Sequence, residues 1–315
     1  MTVGTPPAEV EIDVELVRAL LQEQGIDTRD RSVAELDSGW DNALYSVEPG
    51  SHPQPELRQR LIVRLPRRKV AVELLRHEQR WLPQLFLDSP LPLPRPLLLG
   101  RPGHGYPWPF SVVPFLAGVA SDLEPPDADQ ATVYADFLAT VHQPAPSDAP
   151  VNPYRGVPLS TRNQGFLERW QRCATELPET HLQLLDIWDA AVNLPIDMAP
   201  TWLHGDPHAR NLLVEQGKIS GVIDWGDMCA GDRANDLGAI WMHFHELEAR
   251  NVAINHYQSR CPGVSANTWV RARGWALLFG VILFDSGRED HPRHRRMGQR
   301  TLNNLLGDLR AGQFG

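Results

Sequence analysis

Between Trp202 and Asp227 the chain reads WLHGDPHARNLLVEQGKISGVIDWGD. His204, Asp206, Asn211, Asp224 and Asp227 place acids, an amide and an imidazole around two short apolar runs. NLLV and ISGVI have strand character, and EQGK, with Gly217, reads as the turn between them. With the turn centred near Gln216–Gly217, Asn211 falls opposite Ile223, so Asn211 and Asp224 meet at the open end of a hairpin. Asp206, just before the first strand, belongs to the same end. An amide oxygen and a carboxylate are hard ligands that suit Mg²⁺, which takes few protein groups and keeps water and phosphate oxygens. Asp and Asn also form turns and caps, so the chemical reading rests on the three converging.

Four residues separate Asp206 from Asn211. This is the spacing of the kinase catalytic loop H-R-D-x-x-x-x-N, here HGDPHARN. DWG at 224–226 stands where that template has its metal-binding D-F-G. On these motifs the sequence resembles the aminoglycoside phosphotransferase family of kinase-like small-molecule phosphotransferases, over essentially its whole length. HGD with Asn211, and IDWGD followed by GDRANDLG, are the specific parts; SGWDN, LIVRLP and RHE fit in order.

The resemblance implies an α+β, protein-kinase-like two-lobe fold, with a small antiparallel-sheet N-lobe and a larger, mainly helical C-lobe. Asp206 would be the base that positions and deprotonates an acceptor hydroxyl. Asn211 and Asp224 would hold Mg²⁺ on the phosphates of ATP or GTP. Arg64, paired with Glu78, would take the place of the family's phosphate-contacting Lys or Arg. Ser38, Gly39, Trp40, Asp41 and Asn42 would cover the phosphates. Val113, Pro114 and Leu116 would form the hinge beside the adenine, where Pro114, lacking an N–H, offers only its carbonyl. His204 would orient the loop, and Asp227 would either support the site or form a turn. Phosphoryl transfer asks mainly for positioning and charge neutralisation, which this set can supply. Three departures matter. Arg64 replaces the Lys of protein kinases, the phosphate loop has only Gly39, and HGD in place of H-R-D, with no A-P-E segment, points away from protein kinases.

The elements that must position these residues are legible in the periodicity. Residues 13–25 form a helix with Asp13 as N-cap and Gly25 at its stop. Residues 31–48 read as strand, turn, strand, with DSGWDN as the turn, and 56–66 as a third strand ended by Pro66. Residues 70–82 form an amphipathic helix whose apolar face includes Glu78, and a carboxylate facing inward needs a cation, for which Arg64 is the candidate. SPLPLPRPLLLG is an extended linker into another strand, and 106–118 gives the last strand of the lobe. After Gly118 the patterns are helical over 127–143, 163–177, 181–194, 234–257, 267–287 and 296–312. The division expected is 1–113 for a nucleotide-binding lobe, 114–118 for a hinge and 119–315 for a helical lobe with catalytic loop and acceptor site, a ligand lying between them.

Composition sets the outer bounds. A chain of 315 residues with 42% hydrophobic and 22% charged content can build a substantial core. Its net charge of −9 argues against nucleic acid; −7 of it falls after residue 118 and would draw a cationic acceptor. Cys173, Cys229 and Cys261 have no metal-ligand spacing. The N-terminus lacks a signal pattern, and ALLFGVILF at 276–284 is too short to span a bilayer, so a cytoplasmic location with no membrane partner is expected. Lys69 and Lys218 are the only lysines, so Arg64 reflects a chain-wide preference. His204 and His208 are four apart, as zinc ligands on a helix would be, but Pro207 opposes that helix and no third ligand stands nearby. Asp236 reads as a helix N-cap. HFH at 243–245 would sit on a helix with its two rings apart, and REDHPRHRR at 288–296 as a solvated loop and helix start. The function expected is ATP- or GTP-Mg²⁺-dependent transfer to a hydroxyl of a small molecule, an aminoglycoside or other antibiotic. The alternatives are a kinase of a choline- or homoserine-like metabolite and a nucleotide-binding pseudokinase. Oligomeric state is not encoded in any feature of the sequence.

Overall fold

The computed structural model describes residues 7–288 and 291–312. Two compact units divide the chain, one of Gly4–Leu87 and Leu93–Leu116, the other built on Ala117–Gly315 with Asp88–Pro92 added to it. The long change of unit thus falls between Leu116 and Ala117.

In the first unit, helix α1 (Val14–Glu23) begins where the Asp13 carboxylate accepts the Leu16 N–H at 2.8 Å. Such caps contribute about 1 kcal/mol. Strands β1 (Val33–Ser38), β2 (Asn42–Val47), β3 (Leu61–Pro66), β4 (Leu98–Gly100) and β5 (Phe110–Pro114) form one sheet in the order β1-β2-β3-β5-β4, with every pairing antiparallel. Helix α2 (Lys69–Trp81) contacts β3 and β5. Alternation along β3 decides what each face meets. Leu61, Val63 and Leu65 enter a core with Val17, Leu20 and Leu21 of α1. Arg64 points to the other face, where α2 supplies Glu78. The third strand is shorter than the pattern of 56–66 suggested. Pro55–Leu57 forms a 3₁₀ turn instead, consistent with Pro55 favouring the first position of a helical turn.

The second unit opens with β6 (Val119–Ala120) and helices α3 (Ala131–Val141), α4 (Asn163–Ala174) and α5 (Leu184–Val192). Four short strands follow, β7 (Thr201–Leu203), β8 (Leu212–Glu215), β9 (Lys218–Val222) and β10 (Cys229–Gly231). They pair as β6-β8-β9 and as β7-β10, antiparallel throughout. Next come α6 (Ala234–Leu237), α7 (Ile240–His243), α8 (Leu247–Arg260), α9 (Ala266–Ser286) and α10 (Pro292–Arg310). Helix α9 is buried around most of its circumference and packs against α4, α5, α6, α7 and α10. A helix apolar on all sides belongs at the centre of a bundle, and ALLFGVILF occupies that place. Among the described residues no helix is long and apolar enough to cross a membrane.

The continuous helical pattern of 234–257 is not one helix. It breaks into α6, α7 and α8, and Phe244 is extended (φ −106°, ψ 120°). Arg250 accounts for the break: its guanidinium pairs with Asp308 of α10 and donates to the carbonyls of Phe244 and His245. Those carbonyls are satisfied without the helix continuing. HFH therefore straddles a helix end instead of lying on a helix.

Candidate functional site

The hairpin β8–β9 brings Asn211 opposite Ile223, as the sequence suggested, by way of a one-residue shift of register between Leu213 and Val214 that a straight count from the turn does not contain. Leu212 pairs with Val222, the Ile223 N–H donates to Asn211 O at 2.9 Å, and Gln216 and Gly217 turn at φ 53° and 74°. Positive φ at both positions is the turn whose twist matches a hairpin. Asp224 follows with φ 62°, a conformation Asp tolerates better than most residues, and its side chain is exposed. The Asn211 amide donates from Nδ2 to Asp206 O at 2.9 Å. That bond fixes the amide orientation and commits the nitrogen to the loop, so Oδ1 is the atom turned to other use. Asp206, Asn211 and Asp224 thus belong to one end of one hairpin.

Three groups shape the loop before Asn211. His204 is fully buried; its Nε2 lies 3.0 Å from Ile223 O and its Nδ1 accepts the Asp206 N–H at 3.3 Å. This pair of bonds fits the tautomer with the proton on Nε2. His243, at the end of α7, lies 3.1 Å from Pro207 O through Nε2 and 3.1 Å from Ser121 Oγ through Nδ1, and Ser121 also donates to Ala209 O at 2.9 Å. Burial pushes His243 down to about 3. Gly205 has φ +88°, and a methyl group there would collide with the backbone oxygen of Asp227. Only glycine meets both demands.

Asp236 is not an N-cap. It sits inside α6, fully buried, and accepts the N–H of His204 at 2.6 Å and of Gly205 at 3.1 Å. Burial opposes its charge, but the nearby His142 and His204 and the Asn235 amide hold the carboxyl below its ordinary value. Asn235 beside it donates to Gly205 O at 3.0 Å and accepts from the Gly156 N–H at 3.2 Å. The ND of GDRANDLG is therefore the anchor of the loop at His204–Asp206, a task that shows only once residues some thirty positions apart are folded together.

Arg155 carried no mark in the sequence. Its Nη2 lies 2.8 Å from Asp206 Oδ1 and 3.3 Å from Asp227 Oδ2. Asn152 donates to Asp227 Oδ1 at 2.7 Å. Asp227 is therefore not a turn former alone but a second carboxylate sharing Arg155 with Asp206. Burial raises Asp227, with Arg155 acting against it and Asp206 and Asp224 adding to it. Burial also opposes charge on Asp206, yet Arg155, with His208, His204 and His294, holds it below the ordinary carboxylate value. Environments that push two carboxyls in opposite directions are a familiar mark of a working site. His208 faces Asp206 Oδ2 at 3.5 Å, which places it beside that carboxylate and not with His204 on one helix face. Among the described residues, no three His, Cys, Asp or Glu side chains gather as metal ligands.

The remaining expected residues all lie in the first unit. Arg64 Nη1 meets both oxygens of Glu78 at 2.6 Å, with Glu78 fully buried. The loop of Ser38, Gly39, Trp40, Asp41 and Asn42 joins β1 to β2, with the Gly39 N–H donating to Asn42 O at 3.0 Å. Two arginines that the sequence did not single out pin it. Arg67 donates to Gly39 O at 2.6 Å, while Arg68 donates to Trp40 O and pairs with Asp41 at 2.9 Å. Trp40 stays largely exposed. Val113 and Pro114 end β5 opposite Ile62 and Leu61, and Leu116 closes the unit.

Comparison with known proteins gives the family and the fold. Residues 32–275 match the phosphotransferase enzyme family, and the chain belongs to that family. An aminoglycoside 3'-phosphotransferase of Escherichia coli is 38% identical over 63 residues, which is 20% of this chain and 23% of that protein. The matched stretch is thus about a quarter of that relative. Among solved structures, the GDP complex of aminoglycoside 2'-phosphotransferase-IIIa superposes with a TM-score of 0.65 at 17% identity, covering 95% of this chain and 100% of the other. Macrolide 2'-phosphotransferase from Brachybacterium faecium gives a TM-score of 0.59 at 18% identity, covering 92% and 98%. The fold is the kinase-like α+β fold of these enzymes, a sheet-based N-terminal region followed by a helical C-terminal region.

Proposed function

We propose that the protein transfers the γ-phosphate of ATP or GTP to a hydroxyl of a small molecule, in the range of antibiotic sugars and related metabolites. The observation that carries this reading is the hairpin end where Asp206, Asn211 and Asp224 converge, with the Asn211 amide oriented by its bond to Asp206 O. Asp206, kept ionised chiefly by the Arg155 guanidinium, accepts the hydroxyl proton and aims the oxygen. Asn211 Oδ1 and the Asp224 carboxylate suit Mg²⁺ as hard oxygen donors, and few protein ligands suffice for that ion. When bound, Mg²⁺ supplies charge neutralisation on the phosphate oxygens. Arg64, oriented by Glu78, is the cation for the phosphates, and the loop of Ser38 to Asn42 covers them with backbone N–H groups. Val113, Pro114 and Leu116 line the base.

The named relatives act on aminoglycosides and macrolides, which supports an antibiotic as acceptor, while a metabolite hydroxyl would use the same base. The test is incubation with Mg²⁺ and ATP or GTP against pooled antibiotics and metabolites, with mass spectrometry to detect an added phosphate. A product is expected from the native protein, and Asp206→Asn should lower kcat about 10²–10⁴-fold. Absence of product with every acceptor and both nucleotides would overturn the reading.

A further inference from the structure

We infer that the helical unit carries a binding site built from other residues than the hairpin end, a groove on α10 that takes a small molecule bearing two or more linked phosphate groups. The inference is independent of the phosphotransferase reading.

The groove has a volume of about 520 Å³ and is lined by Arg295, Arg296, Arg300, His245 and the amides Gln299, Asn303 and Asn304. Among the described residues no carboxylate lines it, on a chain whose net charge is −9. The acids around it are already engaged. Glu176 meets Arg295 at 2.8 Å and Arg288 at 2.5 Å, and Asp308 pairs with Arg250. Glu246 follows His245 in the chain but is exposed and lines no part of the groove. Arg296 and Arg300 have no ion-pair partner among the described residues. Four positions apart on α10, they share one face of the helix, where like charges repel. Two planar guanidiniums held side by side without an acid match the oxygens of phosphate, which each can take two at a time.

The hydrogen-bond inventory points the same way. Asn304 Nδ2 donates to Trp241 O at 2.9 Å, which fixes the amide, and the same nitrogen lies 3.5 Å from His245 Nδ1. A donor facing Nδ1 makes Nδ1 the acceptor, so the ring hydrogen of the neutral imidazole sits on Nε2. The ring is neutral at pH 7, because burial, with Arg300 and Arg250 adding to it, pushes it down to about 4. His245 Nε2 is buried and has no hydrogen-bond partner among the described residues. A buried N–H left unmet is costly, so the groove wall holds a donor in want of an acceptor. Asn303 adds another. Gln299 Nε2 donates to its Oδ1 at 3.3 Å and His181 Nε2 faces the same oxygen at 3.1 Å, which leaves Asn303 Nδ2 for a ligand. Two guanidiniums, an imidazole N–H and an amide N–H are all donors. Their ligand must be negative, rich in acceptors and long enough to span a turn of helix, and linked phosphates meet all three demands.

The experiment follows the His245 imidazole signals by NMR in the whole protein, assigned with His245→Gln. Pyrophosphate, ADP or orthophosphate is added without Mg²⁺ at constant ionic strength. Pyrophosphate and ADP present the linked phosphates as free polyphosphate and as nucleotide, and both should move the signal to saturation. Orthophosphate should need about tenfold more. Arg296→Gln with Arg300→Gln should raise the pyrophosphate Kd about tenfold or more, while the other imidazole signals of the free variant stay in place and show that its fold is kept. Orthophosphate or chloride moving the signal as far at equal concentration would reduce the groove to general screening and overturn the inference. A pyrophosphate Kd unchanged in the double variant would overturn it as well, and so would a response to ADP alone.

Discussion

At the scale of single residues, the site divides into groups whose meaning is local and groups whose meaning is not. Asp206, Asn211 and Asp224 were legible because a hairpin register can be counted from the sequence, and the count places them at one end. Arg155 was not, because an Arg in an NPYRG segment acquires a role only when folding brings it to carboxylates 51 and 72 residues away. Glu78 was half legible: its helix phase turned it inward, and its burial made a cation obligatory. That pair supports a stability prediction. Glu78→Ala leaves Arg64 buried with its main counter-charge gone and should cost about 3–5 kcal/mol, read from the urea midpoint. The double variant Arg64→Met with Glu78→Leu should recover most of that loss, because two apolar groups remove the desolvation penalty together. If the double variant is as unstable as the single one, burial of unpaired charge is not the cause.

Elements are the scale at which pattern and fold agree most closely, and their failures have identifiable causes. Amphipathic periodicity located α1, α2, α3, α4, α5, α9 and α10, since each buries one stripe or its whole surface. It ran through the break between α7 and α8 because the deciding contact, Arg250 with Asp308, joins positions 58 residues apart. Asp236 was misread for a related reason. An acid near a helix start resembles a cap, and only the fold reveals that its acceptors serve the backbone of His204 and Gly205. The loop between β7 and β8 is therefore held by side chains from elsewhere and has little tolerance of its own. Gly205→Ala combines a left-handed φ with a collision against Asp227 O. It should destabilise the protein by about 1–3 kcal/mol. It should also lower transfer activity more than Gly165→Ala, whose added methyl meets nothing within 4 Å. Equal activities of the two variants would show that the loop absorbs the change.

The whole molecule adds what no element shows, which is how buried titratable groups couple stability to pH. Burial lowers His243 to about 3, and it lowers His245 and His294, the latter also beside Arg210, to about 4. Their unfolded value is 6.5. The unfolded chain therefore binds more protons than the native one below pH 6.5, so stability contributed by these neutral rings is full above that pH and declines as pH falls toward 4. A single fully buried histidine gives a slope of about 1.4 kcal/mol per pH unit in that window. Urea midpoints at pH 7.5, 6, 5 and 4.5 should fall progressively, and His243→Phe should flatten the decline while lowering the value at pH 7.5. A midpoint constant from pH 7.5 to 4.5 would contradict the burial that sets these values. At this scale the sequence conveyed the order of sheet and helices and hence the fold class. It could not convey that Asp88–Pro92 would cluster with the helical unit, since proline-rich chain carries no address.

Asn235 and Asp236 have a consequence for how such a protein can be redesigned. Asn235 holds Gly205 O and the Gly156 N–H, while Asp236 holds the N–H groups of His204 and Gly205. One dipeptide thus moors both the strand-to-loop junction before Asp206 and the segment that presents Arg155. The two behave as a single transplantable cassette. A graft that brings residues 150–156 from a relative will keep its register only if the donor's own counterpart of this dipeptide, and the 203–206 junction, travel with it.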